Sequence, residues 1–446
     1  FDVPAAFLDT QMHVFEARVL FTTQSVGRTV AFAGSPEVAW SAMRARSRKP
    51  MPFELAPTAS LRYRAFLDAV ATVGDGPNAG RRVAELTYLH DVLVEGAEGR
   101  YERRPIAFPE VEQPKASVIV PVHGKFPVTY VCLAALRFAV NDTPFEVVLV
   151  DDGSTDETRH IERYASGIRV VRREVAGGFV DACNTGAAAA RGDYLVFLNN
   201  DTEPTARWLD ELMFAFETFA GVGLAGSKLI YPDGRLQEAG GIVWGSGNPW
   251  NYGRLANPAH SKFSYTRQVD YVSGASIAVP RKVWENVGGF GEEYRPGYFE
   301  DTDLAFKIRA AGLKTLYVPH SVVVHYEGVS SDKSTTSGMK RFQEINRPKF
   351  KRKWAAAYAD HGSESAAAAD LEKDRGIWKR ALVIDHVPPR PDNDAGSYAL
   401  IQEMRMLQAL GFKVTFLPNN LEHGGVYTDN LQRLGIEAIY APFTGS

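Results

Sequence analysis

The chain has 446 residues, of which 45% are hydrophobic, and its formal net charge is -3 at pH 7. This length suffices for two or three domains with cores of their own. A nearly neutral charge gives no broad basic field, which disfavours a nucleic-acid-binding protein. The two cysteines, Cys132 and Cys183, lie in apolar helical patterns and indicate core positions in a reducing compartment.

The sequence shows neither an apolar run long enough to span a membrane nor a signal-peptide pattern at its N-terminus. We therefore expect a cytoplasmic protein, one able to act at the inner face of the membrane through a peripheral contact. The chain begins at Phe1 and stops at Ser446, soon after the strand-like IEAIYAP, so we expect a fragment of a longer protein.

Residues 1–114 are predicted to form a mainly helical accessory region without a chemical motif. The clearest periodicity lies in RRVAELTYLHDVLVEG, where one helix face carries Val83, Leu86, Leu89 and Val92.

Residues 115–354 alternate between strand and helix patterns. The strand patterns are ASVIVPV, FEVVLVDDGS, IRVVRR and DYLVFLNND, and a typical helix pattern between them is GGFVDACNTGAAAARG. Repeated βα units predict a parallel sheet with right-handed crossovers. Further along, TLYVPHSVVVHYEG predicts two strands. Residues 245–268 predict a long loop that either has a binding role or is mobile.

The last part of the chain is predicted to be a linker and a second α/β unit. Residues 355–378 are Ala-rich and charged, which favours a helical linker. Residues 379–446 contain the strand RALVIDHVPP, the helix AGSYALIQEMRMLQALG and the strand FKVTFLP, which predict a truncated Rossmann-like segment.

Oxygen-bearing side chains follow two of the predicted strands. Asp151 and Asp152 end the second strand, where a carboxylate can bind a base imide or a ribose hydroxyl; an Asp-Gly turn is the alternative. Asn199 and Asp201 follow the fourth strand two positions apart, so both can reach one Mg²⁺ or Mn²⁺ shared with a diphosphate. The alternative is a strand-to-helix turn, which uses the same residue types.

Two further positions could carry chemistry. Asp301, in PGYFEDTDLAFKIRAAG, is either a helix cap or a general base aimed at a substrate hydroxyl. His325, at the end of SVVVHYEG, is either structural or a nitrogen ligand of the same metal. A Gly-rich dinucleotide fingerprint is missing after the first strand, where the sequence is PVHGKFP, and this disfavours an NAD-binding domain.

Five motifs, in this order, resemble the inverting family-two glycosyltransferases of the GT-A fold: IVPVHG, VDDGSTDET, GGFVDACNTGAAAARGDYLVFLNNDTEP, SGASIAVPRKVWENVGGFGEEY and FEDTDLAFKIRAAG. The resemblance covers roughly residues 115–330 and implies an α/β fold with a Rossmann-like mixed sheet. It also implies a UDP- or dTDP-sugar donor, Mn²⁺ or Mg²⁺, and an oligosaccharide or polysaccharide acceptor, lipid-linked in some cases. The segment from Arg380 resembles the start of a GT-B glycosyltransferase domain.

The same resemblance implies a role for each motif. Nucleotide binding is implied for Pro121, Val122, Asp151, Asp152, Asn199 and Asn200. Metal binding is implied for Asp201, Asn199 and His325. Catalysis is implied for Asp301, as the general base, and for the neighbouring Glu300. Acceptor contacts are expected at Gly274 and Trp250.

One residue departs from the family pattern. Asn199 stands where the family's DxD motif has its first aspartate, so it brings an oxygen without a charge, and metal affinity would depend more on Asp201, His325 and the diphosphate. The NND variant, Lys228 and the stretch PDGRLQEAGG resemble members that build bacterial surface polysaccharides such as O antigen. A hexosyl- or deoxyhexosyltransferase is therefore expected.

Two other functions compete with this one. A catalytically silent module that binds sugar nucleotides or glycans as a scaffold would not need the base Asp301. A nucleotidyltransferase is disfavoured because the first strand lacks its Gly-rich, Arg/Lys-containing phosphate loop. The nucleotide, the sugar, the linkage, the acceptor and the oligomeric state are left open.

Overall fold

The computed structural model describes residues 12–18, 25–32, 57–73, 78–327 and 339–443. A ten-stranded mixed sheet lies at the centre of this part, and a three-stranded parallel sheet follows near its C-terminal end. In these ranges, no helix is both long enough and apolar enough to cross a bilayer.

The N-terminal region combines a hairpin with two helices. The hairpin pairs β1 (Met12–Arg18) antiparallel with β2 (Ser25–Phe32), and the helices are α1 (Pro57–Ala71) and α2 (Ala79–Glu95). The prediction of a mainly helical region holds for the helices but missed the hairpin, although SVGRTVAF is rich in the Val and Thr that favour strands. Arg62 on α1 forms a bidentate ion pair with Glu203, which attaches this region to the central domain.

The first half of the central sheet is parallel, as predicted. Its strands are β4 (Ala116–Val122), β5 (Phe145–Asp152), β7 (Arg169–Arg173) and β8 (Tyr194–Leu198). The short strands β3 (Ile106–Ala107) and β6 (Ala165–Ser166) pair with each other in a separate sheet. The helices beside them are α3 (Phe126–Phe138), α4 (Phe179–Ala189) and α5 (Trp208–Thr218). Between β5 and β6, Glu157–Arg163 forms 3-10 turns that are interrupted at His160. β4 is buried along its whole length because helices cover both faces of the sheet.

The second half of the sheet is mixed. Its strands are β9 (Thr202–Pro204), β10 (Val222–Ile230), β11 (Leu236–Glu238), β14 (Arg267–Gln268), β15 (Ser276–Pro280) and β16 (Lys314–His325). A separate two-stranded sheet pairs β12 (Gly241–Val243) with β13 (Pro249–Asn251). The helices are α6 (Arg281–Val287) and α7 (Glu300–Ala310). The order across the sheet is β14-β16-β10-β15-β8-β4-β5-β7, with β9 on β16 and β11 on β10.

β16 corrects one prediction. TLYVPHSVVVHYEG was expected to form two strands, but it forms one strand of 12 residues. Ser227 pairs with Val318 and Lys228 pairs with Val322, so the register against β10 shifts across Pro319. Such an irregularity lets the strand continue past a proline that has no N–H to donate.

The sheet separates two hydrophobic cores. One core contains Trp208, Tyr130 and Cys132, and the other contains Phe197, Trp284 and Cys183. Both cysteines are buried free thiols, as their apolar helical patterns predicted.

The C-terminal part begins with α8 (Arg341–Trp354). The linker that follows was expected to be helical but has only a 3-10 turn at Ala355–Ala357 and the single turn α9 (Ala369–Glu372). Beyond it, the three-stranded sheet contains β17 (Lys379–Asp385), α10 (Ala395–Ala409), β18 (Phe412–Pro418), α11 (Val426–Arg433) and β19 (Glu437–Ala438). Gly362 and the polar residues around it interrupt the helical pattern, and the linker bonds to the central domain instead.

A buried carboxylate, Asp270, attaches the linker to the central domain. Its side chain is 7% exposed and forms ion pairs with Arg309 on α7 and Arg375 in the linker. It also accepts a 2.8 Å hydrogen bond from the backbone N–H of Val243. Burial alone would raise the pKa of Asp270, but the two arginines outweigh that effect and lower it.

We predict that Asp270→Asn lowers the free energy of unfolding by about 3 kcal/mol, because both arginines lose their charged partner in a buried position. Thermal unfolding followed by circular dichroism measures the change. The matched control is Asp233→Asn, which removes an exposed carboxylate paired with Arg235 and should change stability by less than about 0.5 kcal/mol. Equal effects of the two substitutions would contradict the role given to Asp270.

Candidate functional site

A cleft of about 700 Å³ opens at the carboxyl ends of the parallel strands. This edge is where open α/β sheets bind ligands. Ten of the residues selected from the sequence line it: Pro121, Val122, Asp152, Asn199, Asn200, Asp201, Gly274, Glu300, Asp301 and His325. The structure thus gathers residues from across the central domain into one site.

Two selected residues lie off the cleft walls. Asp151 instead accepts a hydrogen bond from the N–H of Ser154 at 2.9 Å and lies 3.7 Å from the guanidinium of Arg172. Asp151 therefore caps the Asp-Gly turn, which was the alternative to nucleotide binding. Trp250 packs edge-on against Trp244, with 5.1 Å between ring centroids, while its neighbours on β13 line the cleft.

Asp152 holds the loop that precedes α4. Its carboxylate accepts hydrogen bonds from the N–H groups of Gly177 at 3.0 Å and Gly178 at 2.7 Å, and from Arg173 Nε at 2.7 Å. Gly178 has φ +87, and a Cβ there would lie 2.3 Å from Pro296. Both glycines line the cleft, so this loop presents bare backbone to a ligand.

A turn after β8 carries the asparagines and the aspartate of the NND motif. β9 follows it and pairs with the end of β16, which places Thr202 opposite His325. The N–H of Tyr326 donates to the carbonyl of Asp201 at 3.0 Å. As a result, His325 Nε2 lies 3.4 Å from Asp201 Oδ1, although the two residues are far apart in sequence.

The two asparagines of the turn differ in their surroundings. Asn200 donates from Nδ2 to the hydroxyl of Thr129 at 3.0 Å. Asn199 Oδ1 is buried and, within the described ranges, has no hydrogen-bond partner. A buried oxygen of this kind is suited to a ligand, so Asn199 fits the metal role better than Asn200 does.

Gln237 orients the ring of His325. Its Oε1 lies 3.1 Å from His325 Nδ1, which favours the tautomer with the proton on Nδ1. Nε2 then turns a lone pair toward the carboxylate of Asp201 at 3.4 Å. A lone pair and a carboxylate face each other favourably only with a proton or a cation between them.

These residues fit a divalent cation whose coordination shell is completed by another ligand. The donor set would be the carboxylate of Asp201, Nε2 of His325 and Oδ1 of Asn199, which are common ligand types for such ions. Among the residues that the structure describes, no group of three or more His, Cys, Asp or Glu is arranged to hold a metal ion. Protein side chains here would therefore share the ion with a diphosphate, as Mg²⁺ sites commonly do.

Asp301 lies in the first turn of α7 and is partly exposed. Its Oδ2 accepts a hydrogen bond from the N–H of Gly274 at 3.0 Å, and its Oδ1 accepts one from the N–H of Thr302 at 2.6 Å. Burial raises the pKa of this carboxyl although the two amides oppose the shift. A positioned carboxylate with a raised pKa is suited to accept a proton.

Glu300 differs from its neighbour. Its side chain is 6% exposed, and burial together with the charge of Asp301 raises the pKa of Glu300 well above its usual value. Its Oε2 is buried and has no hydrogen-bond partner in the described part of the chain. Because the protonated form is favoured, Glu300 is a poorer base than Asp301.

The backbone before this helix is held in an unusual conformation. Tyr298 and Phe299 both have φ +73, in the left-handed region that non-glycine residues rarely adopt. Asn346, on α8 and fully buried, has its Nδ2 2.9 Å from the carbonyl of Gly297 and 3.1 Å from that of Tyr298. α8 thus helps to fix the turn that aims Asp301, a function that its basic sequence pattern did not reveal.

Sequence reasoning also missed Glu238. It ends β11, is 1% exposed and lines the cleft. Burial raises its pKa to about 8; the N–H of Ser273 opposes this shift and the charge of Asp301 adds to it. The only signal in the sequence was an acidic residue two positions before Gly240 in PDGRLQEAGG, which does not show where the side chain points.

The linker supports one wall of the cleft. Pro249 and Asn251 on β13 line that wall. Behind it, the N–H of Gly245 donates to the carbonyl of Gly362 at 2.9 Å, and Glu364 accepts hydrogen bonds from the turn between β12 and β13. The predicted loop at 245–268 is therefore tied to the linker.

A mixed sheet with a cleft at its strand ends, to which β5, the turn after β8, β11 and α7 contribute carboxyl groups, is typical of an α/β ligand-binding domain. Residues 117–263 match the family model of Glycosyl transferase family 2. This part of the chain is similar to that family, and the GT-A fold expected from the sequence is confirmed. The GT-B resemblance of the C-terminal segment stays a prediction.

Curated relatives each match about half of the chain. The O-antigen biosynthesis protein RfbC of Myxococcus xanthus is 31% identical over 236 residues, which is 50% of this chain and 18% of RfbC. The N-acetylglucosaminyl-diphospho-decaprenol L-rhamnosyltransferase of Mycobacterium tuberculosis is 28% identical over 233 residues, which is 46% of this chain and 74% of that protein. The chain thus spans less than a fifth of RfbC.

Among solved structures, the mannosyltransferase PcManGT of Pyrobaculum calidifontis, in complex with GDP-Man and Mn²⁺, is similar at 17% identity with a TM-score of 0.35. The match covers 79% of this chain and 92% of that one.

We predict that His325→Ala weakens Mn²⁺-dependent UDP binding at least tenfold, because a ligand beside Asp201 is lost. Gln237→Leu should weaken it by roughly tenfold through misorientation of the ring. Calorimetric titration of UDP with and without MnCl₂ measures both effects.

The control for these variants is His260→Ala, which removes a histidine that packs against Phe263 outside the cleft. It should leave UDP binding unchanged. Binding of UDP that is equally tight with and without Mn²⁺ in the unmodified protein would contradict the metal role.

Proposed function

We propose that the chain contains a metal-dependent inverting glycosyltransferase that moves a hexose or deoxyhexose from a UDP- or dTDP-sugar to a glycan hydroxyl. One observation carries this proposal: a family 2 domain has Asp201 with His325 and, in the same cleft, the partly exposed Asp301. The first pair suits a diphosphate-bound cation. Asp301 suits removal of a proton from an acceptor.

In the proposed reaction, Asp301 takes the proton of an acceptor hydroxyl while the oxygen of that hydroxyl bonds to the anomeric carbon. The bond from this carbon to the diphosphate oxygen breaks in the same displacement, so the configuration at the carbon inverts. The nucleoside diphosphate leaves with the electron pair. A divalent cation held by Asp201, His325 and Asn199 would supply stabilisation of charge on the diphosphate.

The donor nucleotide would lie along the ends of β4 and β5. Pro121 and Val122 line this side of the cleft, and Asp152 orders the loop with Gly177 and Gly178 beside them. Because Asp152 is already bonded to that loop, its proposed contact with a base or ribose would use its remaining lone pairs.

The acceptor would be an oligosaccharide or polysaccharide of a bacterial cell surface, in some steps lipid-linked. The names of the relatives support this part of the proposal, since one is an O-antigen biosynthesis protein and one an L-rhamnosyltransferase for a diphospho-decaprenol-linked sugar. Gly274 is proposed as an acceptor contact because it lies in the cleft beside Asp301.

Thermal shift with UDP, dTDP and GDP, each with MnCl₂, tests the donor class. A nucleotide at about 100 times its Kd should stabilise the native state by about 2.7 kcal/mol. EDTA should remove the shift. If none of the three nucleotides raises the melting temperature above that of the ligand-free protein, the result would contradict a nucleotide-sugar enzyme.

We predict that Asp301→Asn lowers the rate of sugar transfer by roughly 10²- to 10⁴-fold, because the amide cannot accept the acceptor proton. UDP binding should stay within about twofold, since Asp301 is proposed to act on the acceptor. Radiolabelled transfer from UDP- and dTDP-sugars measures the rate. Near-normal turnover of Asp301→Asn would contradict the base assignment, and an unmodified chain that binds UDP without transferring sugar would favour the silent binding module.

We also predict an acidic limb in the pH profile of kcat/KM. Asp301 must be deprotonated to act as a base, so the rate falls as pH drops through its pKa, which burial raises above the usual value for aspartate. The limb should therefore lie at higher pH than ordinary aspartate titration. Rate measurements between pH 4 and 8 check this, and the residual activity of Asp301→Asn should lack the limb.

A further inference from the structure

Two carboxyl groups are held side by side in the cleft. The turn at Ser273–Gly274 presents consecutive backbone N–H groups: that of Ser273 donates to Glu238 Oε1 at 2.9 Å, and that of Gly274 donates to Asp301 Oδ2 at 3.0 Å. Because adjacent peptide units bind them, the two carboxyl groups are neighbours. The electrostatic effect of Asp301 on Glu238 agrees with this closeness.

One carboxyl oxygen of Glu238 has no hydrogen-bond partner among the described residues. The side chain is 1% exposed and lines the cleft. Its Oε2 is buried and has no hydrogen-bond partner among the residues described by the structure. Buried polar atoms are nearly always hydrogen bonded in native proteins, so such an atom in a cleft indicates the place of a ligand.

β11 separates two functions. Gln237 and Glu238 are adjacent on this strand, at an irregularity in its pairing with β10, and both line the cleft. Gln237 bonds to His325, on the side of the cleft assigned to the metal. Glu238 is held at the turn that also binds Asp301, which is the side assigned to the acceptor.

We propose that Glu238 binds the acceptor-sugar hydroxyl adjacent to the one that Asp301 deprotonates. The two carboxyl groups would then hold a vicinal diol, with Asp301 on the reacting oxygen and Glu238 on its neighbour. Such a contact decides which hydroxyl meets the base, so Glu238 would set the position of the new linkage. This inference rests on the proposed function because it requires Asp301 to act as the base.

The protonation of Glu238 suits this role. Burial raises its pKa to about 8, so the carboxyl group is mostly protonated at neutral pH. A protonated carboxyl can donate one hydrogen bond and accept another, which matches the needs of a hydroxyl group. It also avoids placing a second negative charge beside the ionised Asp301.

Glu238→Ala and Glu238→Gln in the full chain test the proposal. The acceptors are methyl glycosides of galactose, rhamnose and N-acetylglucosamine, each with monodeoxy analogues that lack one hydroxyl, and the donors are UDP- and dTDP-hexoses. We expect Glu238→Ala to raise the acceptor KM by roughly ten- to a hundredfold, with the donor KM and the Kd of UDP with Mn²⁺ unchanged. Glu238→Gln should have a smaller effect, because its amide still donates and accepts.

The deoxy acceptors separate binding from a structural effect. In the unmodified protein, loss of the neighbouring hydroxyl should raise the acceptor KM by a similar factor, whereas in Glu238→Ala its loss should have no further effect. Products formed by this variant should show mixed linkage positions in their NMR spectra. A merely structural role would leave the preference for that hydroxyl intact.

Glu146→Gln is the matched control. Glu146 is also a buried glutamate, but it lies at the start of β5, away from the cleft, and bonds to Ser117 at 2.7 Å. It should alter the melting temperature without changing the preference among deoxy acceptors. If Glu238→Ala fails to fold, Glu238→Gln carries the test and must still raise the acceptor KM.

Two negative outcomes are distinguishable. If the unmodified chain transfers sugar and both Glu238 variants keep its acceptor KM and its hydroxyl preference, the inference about Glu238 is overturned and the transferase proposal stands. If the unmodified chain transfers no sugar from these donors to any of these acceptors, the proposed function fails and the inference fails with it.

Discussion

The site depends on one constraint: several carboxyl groups are clustered in a partly buried cleft. Asp201, Glu238 and Glu300 are each at most 6% exposed, and ionised carboxylates in such positions are unfavourable without partners. The chain meets this constraint in different ways. His325 faces Asp201, and burial favours the protonated forms of Glu238 and Glu300. Asp301 keeps two backbone N–H donors and access to the cleft, which suits it to the proposed role of base.

The sequence was sufficient to predict the parallel half of the sheet and most of the cleft, because strand ends of one sheet edge converge whatever the loops do. It could not choose between Asp151 and Asp152, since both residue types fit either role. In the structure, neighbours on a strand point to opposite faces, and only Asp152 lines the cleft. For His325, the pattern left a structural role and a ligand role open, because its approach to Asp201 depends on the pairing of β9 with β16, and the resemblance favoured the ligand role.

Other features were beyond the sequence because they depend on distant tertiary contacts. Glu238 lies on a strand of three residues, too short for a periodic pattern to show its direction. The linker was expected to be helical from its alanine content, but its hydrogen bonds to the wall of the cleft outweigh that weak intrinsic preference. The helix α2 was visible in the periodicity, whereas the attachment of Arg62 to Glu203 was not.

Asn346 gives the helix α8 a significance beyond its own fold. The left-handed turn at Tyr298 and Phe299 is intrinsically strained, and the amide of Asn346 binds carbonyls of that turn from well downstream in the chain. The structure that positions Asp301 therefore extends past the family motifs to α8. A recombination event that joined two proteins just before α8 would keep Asp301 but lose Asn346, which holds the turn before it. We therefore expect selection to disfavour crossovers at that point.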